Sequence, residues 1–216
     1  MRNSIDVYWS FRSPYSYLAT PDMLRLREDF DVEVNLRVVL PIAVRSKAAL
    51  FDPSNMKPVR YIIMDSFRRA GFLGLPIAFP RPDPIVQDLT TLQVAKEQPY
   101  IYRLSHLGVE AQRRGKGIDF AANVSALIWG GTENWDQGNH LKDAATKAGL
   151  DLADMEAAIQ NSDHQVEVER NQQALDDAGH WGVPTMVVKG EPFFGQDRVE
   201  TLRWRLEKMG LSRAIL

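Results

Sequence analysis

Residues 5–19 of the chain read IDVYWSFRSPYSYLA and predict a short strand that runs directly into a helix. Residues 5–9 alternate and carry β-branched and aromatic side chains, which is typical of a strand. Ser13 is a residue type preferred at a helix N-cap, and Pro14 suits the first helical position. The pattern therefore presents a serine hydroxyl at a helix start, where free N–H groups and the helix dipole favour an anion.

Residues 13–16 have the spacing of a Cys-x-x-Cys redox motif, with serine at both cysteine positions. A thioredoxin-like fold carries that motif in this setting, after its first strand and before a helix. Serine cannot form a disulfide, but its hydroxyl can donate a hydrogen bond to a sulfur anion on a ligand. On these residues alone, an ordinary N-cap serine followed by proline is an open alternative.

The 216-residue chain contains no cysteine, carries a formal net charge of −2 and is 44% hydrophobic. These values are typical of a globular protein and give no reason to expect a nucleic-acid partner. Because cysteine is absent, any sulfur chemistry requires a bound thiol. The chain has no signal-peptide pattern and no apolar run of the roughly 20 residues that span a membrane, so we expect a cytoplasmic protein without a membrane partner. The four histidines are far apart, and we expect no metal site.

The pattern along the rest of the chain is helical between two strand-containing ends. Alternation over 31–40 predicts a second strand and completes a β-α-β unit, with a kink expected at Pro21 in the first helix. Strands are predicted again at 186–188 and 192–195. Helices are predicted at 43–49, 59–70, 85–97, 100–114, 118–128, 140–148, 152–160, 164–178 and 199–209, with loops at 51–58 and 71–84.

This order predicts an α/β protein with a thioredoxin-like fold and a large all-helical insertion. Residues 1–41 and 179–216 would form a discontinuous thioredoxin-like domain, and residues 42–178 the helical insertion domain. In such a fold a cis proline faces the active loop, and the residue before it pairs its backbone with a bound peptide. Val183-Pro184 stands at that place in the order, although a trans proline at a strand start is the alternative.

Both ends of the chain resemble the 2-hydroxychromene-2-carboxylate isomerases, a group of the DsbA-like family that also contains the kappa-class glutathione transferases. Residues 13–19, SPYSYLA, resemble the opening motif of that group. Residues 182–185, GVPT, together with 194–198, FGQDR, resemble its closing glutathione-binding stretch. The spacing from Asn55 through Arg60-Tyr61 to Asp65 resembles a mid-chain substrate segment. The chain departs from the family around 41–53, where a glycine-containing segment is usual.

The resemblance implies glutathione as a cofactor and Ser13 as the catalytic residue that stabilises its thiolate. The cofactor-binding residues it implies are Ser13, Tyr15, Val183, Pro184, Phe194, Gly195, Gln196 and Asp197. Asp197 would bind the γ-glutamyl ammonium and cap the last helix, although a plain N-cap aspartate fits the sequence equally well. Asn55 and Lys57 would bind an anionic substrate, for which the early insertion offers several cations: Arg45, Lys47, Lys57, Arg60, Arg68 and Arg69.

The activity implied by the resemblance is a glutathione-dependent cis-trans isomerisation of 2-hydroxychromene-2-carboxylate or a similar small aromatic acid. The glutathione thiolate would add reversibly to the conjugated substrate, in an aromatic catabolic route, and the enzyme would be a homodimer. Two other functions fit the same residues. One is a kappa-like transferase that conjugates glutathione to electrophiles, and the other is a non-catalytic module that binds peptides or thiols.

Overall fold

A mixed four-stranded sheet joins the two ends of the chain in the computed structural model, which describes residues 3–45, 54–88, 90–160 and 163–213. The strands are β1 (Ser4–Trp9), β2 (Glu33–Val38), β3 (Thr185–Val188) and β4 (Glu191–Phe194). The helices are α1 (Pro14–Leu18), α2 (Thr20–Asp29), α3 (Ile42–Arg45), α4 (Lys57–Leu73), α5 (Ile101–Arg113), α6 (Gly117–Trp129), α7 (His140–Lys147), α8 (Leu152–Ile159), α9 (His164–Asp177) and α10 (Val199–Lys208).

The strand order is β2-β1-β3-β4, so that β1 lies between the N-terminal and the C-terminal parts of the sheet. Strand β1 runs parallel to β2 and antiparallel to β3, with Tyr8 opposite Thr185. Strands β3 and β4 are antiparallel neighbours. The predicted α/β class, with a β-α-β unit first and a β-β-α unit last, is confirmed.

The first helix is interrupted rather than kinked. Helix α1 ends at Leu18, and α2 begins at Thr20. Pro21 lies in the first turn of α2, where its missing N–H removes no intrahelical hydrogen bond. The sequence correctly predicted a disturbance near Pro21 but placed a single bent helix where the structure has two.

The prediction of a helix at 85–97 is wrong. The described part of this segment is irregular, and Gln87 pairs with Val94 in an isolated bridge. The Asp88 carboxylate accepts hydrogen bonds from the N–H groups of the residues two and three positions on, which closes a turn. Leu92 then adopts a φ of 57°, outside the helical region. Local side-chain hydrogen bonding therefore overrides the helical hydrophobic spacing here.

The other helices lie close to their predicted positions. Asp151 caps α8 as predicted, because its side chain accepts a hydrogen bond from the Asp154 N–H at 3.0 Å. Helix α9 ends before Gly179, whose φ of 89° suits glycine. The helix predicted at 43–49 is described only as far as Arg45, and the first three residues of the loop predicted at 51–58 lie outside the described residues.

The buried core is continuous from the sheet into the helices between residues 42 and 178. Trp129 of α6 is 7% exposed and donates its indole N–H to the Phe11 carbonyl at 3.0 Å. Gly108 of α5 lies so close to β2 that an added Cβ would stand 2.7 Å from Val38 Cγ2. The division into a thioredoxin-like domain and an insertion domain stays a prediction. None of the helices in the described ranges has the length and apolarity to cross a membrane.

Candidate functional site

Ser13 occupies the start of α1, at the end of the turn that follows β1. Its N–H donates to the Ser10 carbonyl at 3.0 Å, and its backbone is extended, with φ −89° and ψ 117°. The Ser13 hydroxyl oxygen accepts a hydrogen bond from the Ser16 N–H at 3.1 Å. The predicted N-cap is confirmed, and it fixes the position of the hydroxyl at the beginning of the helix.

The Ser13 hydroxyl also faces the segment before β3. Its Oγ lies 3.4 Å from the Val183 carbonyl oxygen, although 170 residues separate the two in the chain. The Val183-Pro184 peptide bond is cis. A separation of 3.4 Å is long for a hydroxyl donor, which usually lies 2.5–3.0 Å from its acceptor. The hydroxyl hydrogen is therefore weakly engaged and can turn to a better acceptor.

Residues 194–197 continue the site from Pro184 toward α10. The Gly195 N–H donates to the Pro184 carbonyl at 2.9 Å. Gln196 is 8% exposed, and its Oε1 accepts a hydrogen bond from Arg69 Nε at 2.8 Å. Gln196 thus joins this turn to α4 and brings the Arg69 guanidinium to its edge.

Asp197 does not cap the last helix, so that part of its predicted role is wrong. A 3₁₀ turn, Gln196–Arg198, precedes α10, which begins at Val199 as predicted, and Arg198 rather than Asp197 occupies the N-cap position. The Asp197 side chain is 55% exposed and accepts a hydrogen bond from Arg198 at 2.9 Å. Its carboxylate remains accessible at the edge of the site.

Tyr15 of α1 is bound to α4 through its hydroxyl. The Tyr15 hydroxyl donates to Asp65 Oδ2 at 2.7 Å, and Asp65 Oδ1 accepts from Arg68 at 2.6 Å. Burial, and after it the hydrogen bond to Asp65, raises the pKa of Tyr15. The hydrogen bond from Arg68, followed by that from Tyr15, lowers the pKa of Asp65. Tyr15 therefore stays neutral and holds α4 against α1, with its hydroxyl hydrogen already engaged.

Asn55 and Lys57 lie at the N-terminal end of α4, away from the group around Ser13. Both side chains are exposed, and Asn55 Oδ1 lies 3.4 Å from the Lys57 backbone nitrogen. Lys57 precedes Asp65 by eight residues, which corresponds to about 12 Å along a helix. The predicted substrate contacts thus stay predictions, and Lys47 lies outside the described residues.

Three residues near the site received no role in the sequence analysis. Arg69 was noted only as one cation among several, and its contact with Gln196 crosses 127 positions. His180 stacks on Phe194 with ring centroids 3.9 Å apart. Arg45 donates to the Trp181 carbonyl. Local pattern gives no signal for these contacts, because each joins elements that only the tertiary fold brings together.

Comparisons with known proteins identify the family of this chain. The model of the DSBA-like thioredoxin domain matches residues 4–207. The chain belongs to the DsbA-like thioredoxin family. The predicted thioredoxin-like fold with a helical insertion is therefore confirmed. A 2-hydroxychromene-2-carboxylate isomerase from Pseudomonas putida is 22% identical over 218 residues, covering 98% of each chain.

Solved structures share the fold of this DsbA-like chain. A 2-hydroxychromene-2-carboxylate isomerase superposes with a TM-score of 0.68 at 20% identity, covering 95% of each chain. The cytosolic disulfide reductase DsbM from Pseudomonas aeruginosa, with GSH, gives a TM-score of 0.59 at 14% identity and covers 94% of this chain and 99% of that one. The present chain has no cysteine, so it cannot perform dithiol exchange with its own side chains.

Proposed function

We propose that this protein is a glutathione-dependent isomerase that acts on 2-hydroxychromene-2-carboxylate or a similar small aromatic acid. The observation that carries the proposal is the approach of the Ser13 hydroxyl to the Val183 carbonyl, in a chain without cysteine. The similarity of this chain, over nearly its full length, to the isomerase from Pseudomonas putida supports the reaction type. A homodimer and a cytoplasmic location stay predictions.

The residues around Ser13 suit glutathione. The Ser13 hydroxyl would donate a hydrogen bond to the sulfur, and the Val183 main chain would pair with the cysteinyl backbone, as in β-strand addition. The exposed Asp197 carboxylate would bind the γ-glutamyl ammonium. Arg69, held at the edge of the site by Gln196, would supply a cation for a carboxylate of the tripeptide. The complex of DsbM with GSH supports such binding within this fold.

The protein's own part in the reaction is to bind, orient and stabilise charge. Glutathione supplies, when bound, the thiolate that adds reversibly to the conjugated substrate and allows a double bond to rotate. Ser13 favours the ionised sulfur by donating a hydrogen bond at the N-terminus of α1. Ser13 is therefore a stabilising group and not the nucleophile.

The substrate side of the site is proposed along α4. The basic residues Lys57, Arg60, Arg68 and Arg69 all lie on this helix, and Arg60 is exposed. Cations suit an anionic aromatic acid. Asn55 and Lys57 remain our candidates for the substrate carboxylate, at the end of α4 away from Asp65.

Turnover and thiol balance test the proposal together. The purified protein would be mixed with 2-hydroxychromene-2-carboxylate, with and without glutathione, while the absorbance of the two isomers and the free thiol are followed. The proposal predicts interconversion only with glutathione, at constant free thiol. Loss of free thiol with an electrophile would instead identify a kappa-like transferase. Equal binding of glutathione and a sulfur-free analogue, without turnover, would identify a non-catalytic binding module.

A further inference from the structure

The peptide group that links Trp181 to Gly182 is held at both of its polar ends by side chains. Its N–H, from Gly182, donates to His180 Nδ1 at 2.9 Å. Its carbonyl, from Trp181, accepts from the Arg45 guanidinium. Arg45 also donates to the Leu40 carbonyl at 2.9 Å, which anchors the guanidinium to the chain after β2. The orientation of this one peptide plane is thus fixed from two directions.

The fixed peptide immediately precedes the main chain that faces Ser13. The Gly182 carbonyl accepts from the buried Thr185 hydroxyl at 2.8 Å. The Val183 carbonyl faces Ser13, and the Pro184 carbonyl accepts from the Gly195 N–H. The carbonyls of Trp181, Gly182 and Pro184 therefore each accept a hydrogen bond, and the Val183 carbonyl between them lies 3.4 Å from the Ser13 hydroxyl. A rotation of the Trp181–Gly182 peptide would redirect the main chain that follows it and turn the Val183 carbonyl away from Ser13.

Packing leaves the His180 ring little freedom. The ring stacks on Phe194 with an interplanar angle of 24°, and Trp181 stacks beside it at 5.4 Å between centroids. A Cβ added to Gly182 would stand 2.4 Å from Phe194 Cε2 and 3.1 Å from His180 Cε1. The glycine therefore allows the aromatic rings to close over the main chain, and the rings hold Nδ1 against the Gly182 N–H.

We propose that neutral His180 is a positioning residue, whose Nδ1 orients the Trp181–Gly182 peptide and so holds the Val183 main chain ready for glutathione. This inference rests on the proposed function. His180 itself needs no contact with the ligand or the substrate. Because His180 holds this main chain in place beforehand, the segment loses less conformational freedom when glutathione binds.

Burial keeps His180 in the required, neutral state. Burial lowers the pKa of His180, so that Nδ1 is unprotonated and can accept at neutral pH. Around this segment, Arg45 of α3 interacts with Asp176 of α9, and Asp197 pairs with Arg198 after β4. Protonation of Nδ1 in acid would place a donor against the Gly182 N–H and abolish the hydrogen bond.

Two substitutions at His180 distinguish the effect of its hydrogen bond from the effect of its ring packing. His180→Phe keeps an aromatic ring on Phe194 but has no acceptor. His180→Asn loses the ring, while its Oδ1 stands at the same bonded distance from Cβ as Nδ1 and can accept from Gly182. Calorimetry with glutathione should show about a fivefold weaker Kd for His180→Phe, in line with the loss of one hydrogen bond. The Kd of His180→Asn should stay within about twofold of that of the unaltered protein.

A pH series provides a second readout that a purely structural role would not change. S-methylglutathione is the probe, because it has no thiol to titrate. Between pH 7 and pH 5, about the range in which histidine titrates, the affinity of the unaltered protein should fall and that of His180→Asn should stay level. This comparison applies even if His180→Phe does not fold.

The outcomes distinguish the inference from the function on which it rests. Equal affinities of the unaltered protein and His180→Phe would overturn the inference alone. Equal losses in both variants would also overturn it, since the ring and not the acceptor would then matter. If the unaltered protein binds neither glutathione nor its S-methyl form, the proposed function fails, and the inference fails with it.

Discussion

Replacing Ser13 with alanine removes a hydroxyl that makes two contacts. Its oxygen accepts from the Ser16 N–H at 3.1 Å and lies 3.4 Å from the Val183 carbonyl. Loss of an N-cap of this kind lowers the free energy of unfolding by about 1 kcal/mol. The longer contact adds little to that cost. The variant should therefore fold, and any change at the bound sulfur can be measured on a native protein.

The expected change is in the pKa of the bound glutathione thiol. A hydrogen bond to a charged acceptor contributes about 1.5–3 kcal/mol. Since one pKa unit corresponds to about 1.4 kcal/mol, Ser13→Ala should raise the pKa of the bound thiol by about one to two units. The sign follows from the charge, because the hydroxyl stabilises only the ionised form strongly.

The assay is a pH titration of thiolate ultraviolet absorbance with the protein saturated by glutathione. Ser16→Ala is the matched control, since it removes the same group three positions along the chain. Ser16 Oγ is buried and has no hydrogen-bond partner among the described residues, so its loss should leave the pKa of the thiol unchanged. The proposed hydrogen bond from Ser13 to the sulfur is refuted if Ser13→Ala titrates like the unaltered protein, or if both variants shift the pKa of the thiol equally.

Three further predictions concern binding and stability. Asp197→Ala should weaken glutathione binding about tenfold in calorimetry. Its free energy of unfolding in urea should stay within about 0.5 kcal/mol of that of the unaltered protein, because the Asp197 side chain is exposed and caps no helix. A strong loss of stability with unchanged Kd would contradict this. Gly108→Ala should lower the unfolding free energy by about 1–3 kcal/mol, since its Cβ would meet Val38; no change in urea midpoint would contradict the packing. Arg27 donates two hydrogen bonds to Asp119 and lowers its pKa, so this pair stabilises the fold above the unfolded-state pKa of about 3.9 and less as pH falls through the lower folded-state pKa. Arg27→Met should therefore lower the free energy of unfolding by about 1 kcal/mol at pH 7 and by progressively less in acid. A loss of stability that does not depend on pH would point to packing instead.

The sequence predicts the parts of this protein that local chemistry determines. Ser13 with Pro14 marks a helix start on its own, and Asp151 does the same for α8. Strands β1 and β2 can be predicted because their side chains alternate with a period of two residues, which is the period of a strand. The pairing of residues 13–16 with Val183 was reached only through the order of elements and the family resemblance, since no local pattern connects them.

The remaining features depend on contacts made across the fold. Residues 85–97 have helical spacing, but the Asp88 carboxylate closes a turn there that hydrophobic periodicity cannot report. The role expected of Asp197 as a cap failed because Asp197 lies inside a 3₁₀ turn, so that Arg198 and not Asp197 directly precedes the helix that begins at Val199. The stack of His180 on Phe194 and the bond from Arg69 to Gln196 join separate elements. Such contacts are set by the tertiary fold and leave no trace in a single sequence.

A crystal structure of the protein with glutathione would show whether Ser13 and Val183 hold the tripeptide. We expect the glutathione sulfur within about 3–3.5 Å of Ser13 Oγ and the cysteinyl backbone hydrogen-bonded to the Val183 main chain. Glutathione bound elsewhere, or bound with its sulfur turned away from Ser13, would contradict this expectation.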